Sequence, residues 1–364
     1  MRKRRKKRQR IATVVLCLLL LVVAAGIGFF GKKILDGEST RTQAFQEGGY
    51  TAQPTTVAGA EPSVTAGTTE TESVTATPEA TETPTPTPEP TPEVQTVSGE
   101  NLHSAHAILV RAEDGAVMMD KAASEQTYPA SITKVMTAIL AIEQLTNLDE
   151  QVTVPEGIFE ELTAQGASVA GFDPYEQLSV RSLLYGVLLP SGADACLTLA
   201  ERISGSEEGF VQLMNEKAAE LGLEGTHFVN CTGLHDSQHY TTCADVAELM
   251  RYCLQNETFR TIISTRSYTT EATSAHPSGV TMYDSMFTKF DNSGISTTMA
   301  NGLSVQGGKT GFTDEAGQCL ASFGSLNGTE YILVTTGAPA QNGSEIMSVQ
   351  DAETIYSRIS DAQS

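Results

Sequence analysis

Ser131 and Lys134 stand three positions apart in the stretch Tyr128-Pro129-Ala130-Ser131-Ile132-Thr133-Lys134. On a helix that spacing puts a hydroxyl and an amine on one face, one turn apart. A serine hydroxyl is a poor nucleophile at neutral pH, and a lysine becomes a usable base only when burial or a nearby positive charge lowers its pKa. Val135, Met136, Ile139 and Leu140 follow and would supply that burial, so the pair reads as a nucleophile with its base. Taken alone the pattern is common, and a capped helix with a snorkelling lysine would serve it equally well. Two further polar groups lie downstream: Ser191-Gly192-Ala193, sixty residues after Ser131, and Lys309-Thr310-Gly311.

The elements that must position these groups are legible from pattern. Pro129 suits a helix start, because its φ is preset and its missing N–H is not needed in the first turn; the apolar run then carries this helix to about Leu145. Residues 106–111 and 116–119 are strand-like runs joined by the turn Glu113-Asp114-Gly115, a hairpin leading into the Ser131 helix. A second helix is expected from Leu178-Ser179-Val180 through Leu189, interrupted at 190–194 and resumed from Ala195, which places Ser191 in a tight bend between two helices. Residues 207–221 and 244–254 read as further helices, and 264–301 as strands and loops. Lys309 sits on a strand, followed by strand candidates at 318–323 and 330–336 and a closing helix at 348–359. Strands at both ends with helices between imply an α+β domain, not a repeating βαβ pattern.

The first hundred residues do other work. Residues 1–10 are a basic tail expected to stay cytoplasmic, and 11–30 form an apolar run long enough to span a bilayer as a signal anchor, or, if Val23-Ala24-Ala25 is a cleavage site, a signal peptide. Residues 31–100, rich in Thr, Pro and Glu, cannot bury a core and read as a disordered stalk. The catalytic domain is expected over 101–364, with no second folded domain after it. Ten of the 23 basic residues and none of the 44 acidic ones precede Asp36, leaving 13 basic against 44 acidic residues beyond it. Such a surface excludes a nucleic-acid partner, and an anionic ligand would need a local cationic pocket. Beyond Cys17 there are five cysteines with no Cys-x-x-Cys pair, which permits a disulfide but does not predict one.

Taken together, Ser131-x-x-Lys134, Ser191-Gly192-Ala193 and Lys309-Thr310-Gly311, in this order and spacing, resemble the serine D-alanyl-D-alanine carboxypeptidases. These are the low-molecular-weight penicillin-binding proteins of the β-lactamase-like superfamily. The resemblance runs over 105–338 and includes Leu183-Leu184-Tyr185-Gly186 before Ser191, Thr226-x-Phe228-x-Asn230-x-x-Gly233-Leu234, and His239-x-Thr241-Thr242-x-x-Asp245. It implies an antiparallel sheet built from both ends of the domain and covered by helices, with a mostly helical second lobe. Ser131 would attack the bond between the terminal D-alanines of a peptidoglycan stem peptide, with Lys134 as base and Ser191 as proton relay. Lys309 and Thr310 would bind the substrate carboxylate, and Lys309 would help keep Lys134 neutral. Gly311 would leave room for the substrate backbone, and the N–H groups of Ser131 and Phe312 would bind the oxyanion. β-Lactams are the implied inhibitors, and no metal or organic cofactor is implied.

Ala193 departs from the pattern, which usually has Asn there. An alanine cannot contact the substrate carbonyl or the lysine, so reduced turnover is expected, and an Asn at 193 should raise it. That departure also motivates an alternative, a non-hydrolytic penicillin or peptidoglycan sensor; a β-lactamase is the other. His235 and His239 have the i, i+4 spacing of a metal site but lack the Glu of His-Glu-x-x-His, and Gly233 and Thr241-Thr242 place them in a loop, where His239 and Asp245 are expected to brace the active site.

Overall fold

The computed structural model describes residues 96–340 and 346–360. The expected tail, membrane segment and nearly all of the stalk lie outside the described residues. Among the described residues no helix is long and apolar enough to cross a membrane.

In chain order the elements are β1 (His106–Arg111), β2 (Val117–Lys121), a 3-10 turn (Ala130–Thr133), α1 (Lys134–Gln144), β3 (Gln151–Thr153), α2 (Phe159–Ala164), β4 (Gln177–Ser179), α3 (Val180–Leu188), α4 (Ala193–Ser204), α5 (Glu207–Glu220), α6 (Cys243–Cys253), α7 (Glu257–Ile263), β5 (Ser267–Thr269), β6 (Thr281–Tyr283), α8 (Ser285–Ser293), β7 (Ser304–Thr313), β8 (Gly317–Leu326), β9 (Thr329–Ala338) and α9 (Met347–Ser357). The main sheet has the order β2-β1-β9-β8-β7, every pair antiparallel. Both ends of the domain thus build one sheet, and β7 lies at its edge.

Alternation along β1 explains the layering. Ile108 and Val110 enter one core with α1 and α3 to α7, whereas Ala107 and Leu109 enter a second core with Phe287 and Phe290 of α8 and Val349 and Ile355 of α9. A strand covered on both faces must be apolar on both, and each fully buried leucine there contributes about 1.5–3 kcal/mol. The α1 helix is enclosed more completely still. Every residue from Lys134 to Ile142 is buried, so it has no polar face and can bury a lysine inside the protein.

Three expectations change. Ser131 lies in a 3-10 turn and the α-helix begins only at Lys134. Leu178 and Ser179 end a strand, and Ser179 caps α3 by accepting from Ser182 N at 3.1 Å. The segment read as strands and loops contains α8, whose few apolar residues, Met286, Phe287 and Phe290, face the core while the remainder is polar. Packing and the Asp284 cap hold that helix where its hydrophobic pattern is thin. Among the described residues, Cys196, Cys231, Cys243, Cys253 and Cys319 are buried and unpaired.

Candidate active site

The nucleophile turn is a strained piece of backbone held from several sides. Ala130 has φ +46, a left-handed conformation that costs a residue with a Cβ about 1–3 kcal/mol. Thr133 Oγ1 donates to Ala130 O at 2.8 Å. Lys134 Nζ lies 3.0 Å from Ser131 Oγ and donates to Thr232 O at 2.5 Å. Lys134 is 2% exposed, and burial lowers its pKa. Desolvation is the largest cause of that shift.

The loop that supplies the Thr232 carbonyl is organised by Asn230. Its Oδ1 accepts from Gly233 N at 2.7 Å and Thr232 N at 3.2 Å, and its Nδ2 donates to Leu234 O at 2.9 Å. Gly233 has φ +81, and a Cβ there would stand 1.9 Å from Ala130 O. Only glycine lets this loop close on the nucleophile turn.

Behind the turn, His239 Nδ1 accepts from Val229 N at 3.1 Å. Its Nε2 lies 2.7 Å from Thr133 Oγ1, which already donates to Ala130 O, so Nε2–H is the donor. Both ring nitrogens are thus committed to bracing, while His235 is exposed and packs edge-on against Tyr128. Asp245 accepts from Thr226 Oγ1 at 2.6 Å and secures the same loop.

Burial pulls His239 down from 6.5 to about 4. The unfolded chain then binds the extra proton between those values, so the stability present above about pH 6.5 is lost as the pH falls to about 4, by up to about 3 kcal/mol. Chemical denaturation at pH 7 and pH 4.5 should show this loss in the wild type and a shallower loss in His239→Gln. Equal slopes in the two proteins would contradict it.

Ser191 has φ +67 and is buried, and its hydroxyl has no hydrogen-bond partner among the described residues. A buried hydroxyl left open in a strained bend is suited to an incoming polar group. Ala193 opens α4, is 1% exposed and donates its N–H to Ser168 O at 2.8 Å. Its methyl offers no polar contact, as expected. The next residue, Asp194, was given no role by the sequence reading. It is fully buried and accepts from the N–H groups of Ala170 at 2.7 Å, Gly171 at 3.2 Å, Phe172 at 3.3 Å and Ala195 at 2.9 Å. Burial pushes its pKa up, and these donors pull the other way. An acidic residue in a helix first turn was the available signal.

On β7, a Cβ at Gly311 would stand 2.9 Å from Ser131 N and 3.1 Å from Pro129 O, so the edge strand runs in contact with the nucleophile's own amide. Half-buried Phe312 follows it. Lys309 is 0% exposed, and Nζ donates to Thr310 O at 2.9 Å. Burial first, then the charge of Lys134, lowers its pKa, while Asp284 opposes. Burial pushes the pKa of Cys196, in α4, up, and the charges of Lys134 and Lys309 pull it the other way. Thr310 Oγ1 lies 2.9 Å from Ser285 Oγ. Asp284 and Ser285 were also missed by the sequence reading; their signal was a capping Asp ahead of a helix.

Residues 93–340 match the D-alanyl-D-alanine carboxypeptidase family. The D-alanyl-D-alanine carboxypeptidase DacF of Bacillus subtilis is 32% identical over 258 residues, covering 70% of this chain and 63% of that protein. A D-alanyl-D-alanine carboxypeptidase of a Streptomyces species is 32% identical over 237 residues, covering 62% of this chain and 79% of that protein. The crystal structure of a Streptomyces DD-transpeptidase superposes with a TM-score of 0.62 at 27% identity, covering 71% of this chain and 97% of the other. The sheet drawn from both ends of the domain, the ordered motifs and a match over more than half of its length agree: the chain belongs to the D-alanyl-D-alanine carboxypeptidase family.

Proposed function

We propose that the protein is a serine D,D-carboxypeptidase that removes the terminal D-alanine from peptidoglycan stem peptides and is inhibited by β-lactams. The observation that carries this reading is the buried Lys134 amine, lowered in pKa and 3.0 Å from Ser131 Oγ. Ser131 Oγ attacks the carbonyl carbon between the two D-alanines while its proton passes to Lys134. The oxyanion is held by the N–H groups of Ser131 and Phe312, each such donor being worth about a hundredfold to a thousandfold. Collapse breaks the C–N bond. The departing amine takes the proton from Lys134 by way of Ser191 Oγ, D-alanine leaves, and the peptide remains esterified to Ser131. Water, deprotonated by Lys134, then hydrolyses the ester. Lys309 and Thr310 hold the substrate carboxylate, a charge-assisted contact, and the free edge of β7 pairs with its backbone. With alanine at 193 one substrate contact is absent, at a cost of about 1–3 kcal/mol or roughly tenfold to a hundredfold in rate.

The same reading places the enzyme at the outer face of the cell membrane, tethered through residues 11–30 and set off by the stalk. The basic run 2–10 and the apolar run after it support that placement.

Incubating the protein with a peptide ending in D-Ala-D-Ala and, separately, with labelled penicillin tests the activity. The expected result is released D-alanine and a long-lived penicillin adduct, both abolished in Ser131→Ala. An adduct without D-alanine release would favour the sensor, and rapid penicillin turnover the β-lactamase.

A further inference from the structure

The bend that carries Ser191 is held between α3 and the loop 168–172. Ser191 lies just after α3 and just before Ala193, the first residue of α4, with its backbone left-handed and its hydroxyl open. A residue in that conformation stays there only if its surroundings fix it. On one side, Gly192 N donates to Gly186 O of α3 at 2.8 Å; on the other, Ala193 N donates to Ser168 O at 2.8 Å. A Cβ on Gly192 would stand 2.7 Å from both the N and the Cβ of Ala170, so the loop lies directly against the bend.

Asp194 fastens that loop. Its Oδ1 accepts from Ala170 N at 2.7 Å and Ala195 N at 2.9 Å, and its Oδ2 from Gly171 N at 3.2 Å and Phe172 N at 3.3 Å. The consecutive amides of 170–172 thus converge on one carboxylate, an anion-binding concavity made of the loop's own backbone. An acid that only favoured the start of α4 would need neither burial nor these three bonds, since it serves the helix dipole from the solvent. Two oxygens facing donors on both sides are a demand that an ionised carboxylate meets; an asparagine would set its NH2 against the N–H groups of one side. We infer that Asp194 is a positioning residue for the proposed reaction: by fixing loop 168–172 against Gly192 and Ala193 it keeps Ser191 in its left-handed bend, with Oγ free to hand a proton to the departing amine. The inference rests on the D,D-carboxypeptidase reading of the site.

The leaving group reads this role directly. A peptide ending in D-Ala-D-Ala expels an amine that must be protonated, whereas a thioester analogue with the same acyl part expels a thiolate that needs no proton. Asp194→Asn should slow acylation of Ser131 by the peptide about a hundredfold, and by the thioester less than about threefold. On the peptide, Asp194→Asn combined with Ser191→Ala should be no slower than Ser191→Ala alone, because Asp194 acts through Ser191. Additive losses, or equal losses on the two substrates, would mean a merely structural role and overturn the inference. Asp194→Glu keeps the charge and the acceptors but carries them one methylene further into the loop. It should show the same selectivity at about tenfold, and it decides the question if Asp194→Asn does not fold; equal effects on the two substrates in this variant overturn the inference as well. Amide hydrogen exchange on the full chain gives a readout independent of activity. Relative to the amides of α6, those of Gly192 and Ala193 should exchange at least about tenfold faster in either variant than in the wild type, and unchanged relative exchange overturns the inference. A wild type that releases no D-alanine would refute the functional reading, while the exchange comparison would still decide whether Asp194 holds the Ser191 bend.

Discussion

Lys134→Met is expected to slow D-alanine release by about a thousandfold or more while the protein stays folded. Methionine matches the length of the lysine stem and suits the fully buried start of α1. Removing the amine leaves the Thr232 carbonyl without its donor, a loss of about 1 kcal/mol that relief from burying an ionisable group offsets. Catalysis has no such compensation. A positioned base contributes about a hundredfold to ten-thousandfold, and here it also serves the leaving amine and the attacking water. Single-turnover acylation and thermal melting on the same preparation separate the two effects. A folded variant that retains more than a tenth of the wild-type acylation rate would mean that another group takes the Ser131 proton.

Gly233→Ala is expected to be the most damaging substitution of a residue that takes no part in the chemistry. Its Cβ would meet Ala130 O at 1.9 Å and Ser131 N at 3.0 Å, at φ +81, so either the loop or the nucleophile turn must move. Moving the loop withdraws Thr232 O from Lys134; moving the turn displaces Ser131 and its amide. We expect a loss of stability above about 3 kcal/mol and acylation slower by at least about a hundredfold. Gly294→Ala is the control. It has a similar φ of +72 at the C-cap of α8 and nothing within 4 Å of the added carbon, so it should cost about 1 kcal/mol and leave acylation unchanged. Similar effects at both positions would show that backbone strain, and not the closure of the loop on Ala130, sets the requirement at 233.

What could be read from the chain followed the physics of each signal. Ser131, Lys134, Ser191 and Lys309 announce themselves by residue type and spacing, and the sheet by apolar runs at both ends of the domain. The 3-10 turn was not legible, because Pro129 and the apolar run after it suit an α-helix equally well; only Gly233, Gly311 and His239, distant in sequence, make the tighter turn. The apolar run after Lys134 already pointed to burial as the way to lower its pKa, and desolvation is the largest cause of that shift. Asp194 fell in the expected interruption at 190–194 and Asp284 in the segment read as strands and loops, so neither was given a role. Their burial, and what their oxygens face, emerges only when the 168–172 loop and β7 are folded against them.

The central claim is that Ser131, activated by Lys134, forms a covalent acyl-enzyme, and peptide mapping tests it most directly. The protein is incubated with penicillin, its intact mass measured, and the labelled digest sequenced by mass spectrometry. The account predicts one adduct per chain, carried on Ser131 in the peptide containing Tyr128-Pro129-Ala130-Ser131 and absent from Lys134→Met on the same timescale. An adduct on any other residue, or no adduct in a folded wild-type protein, would contradict it.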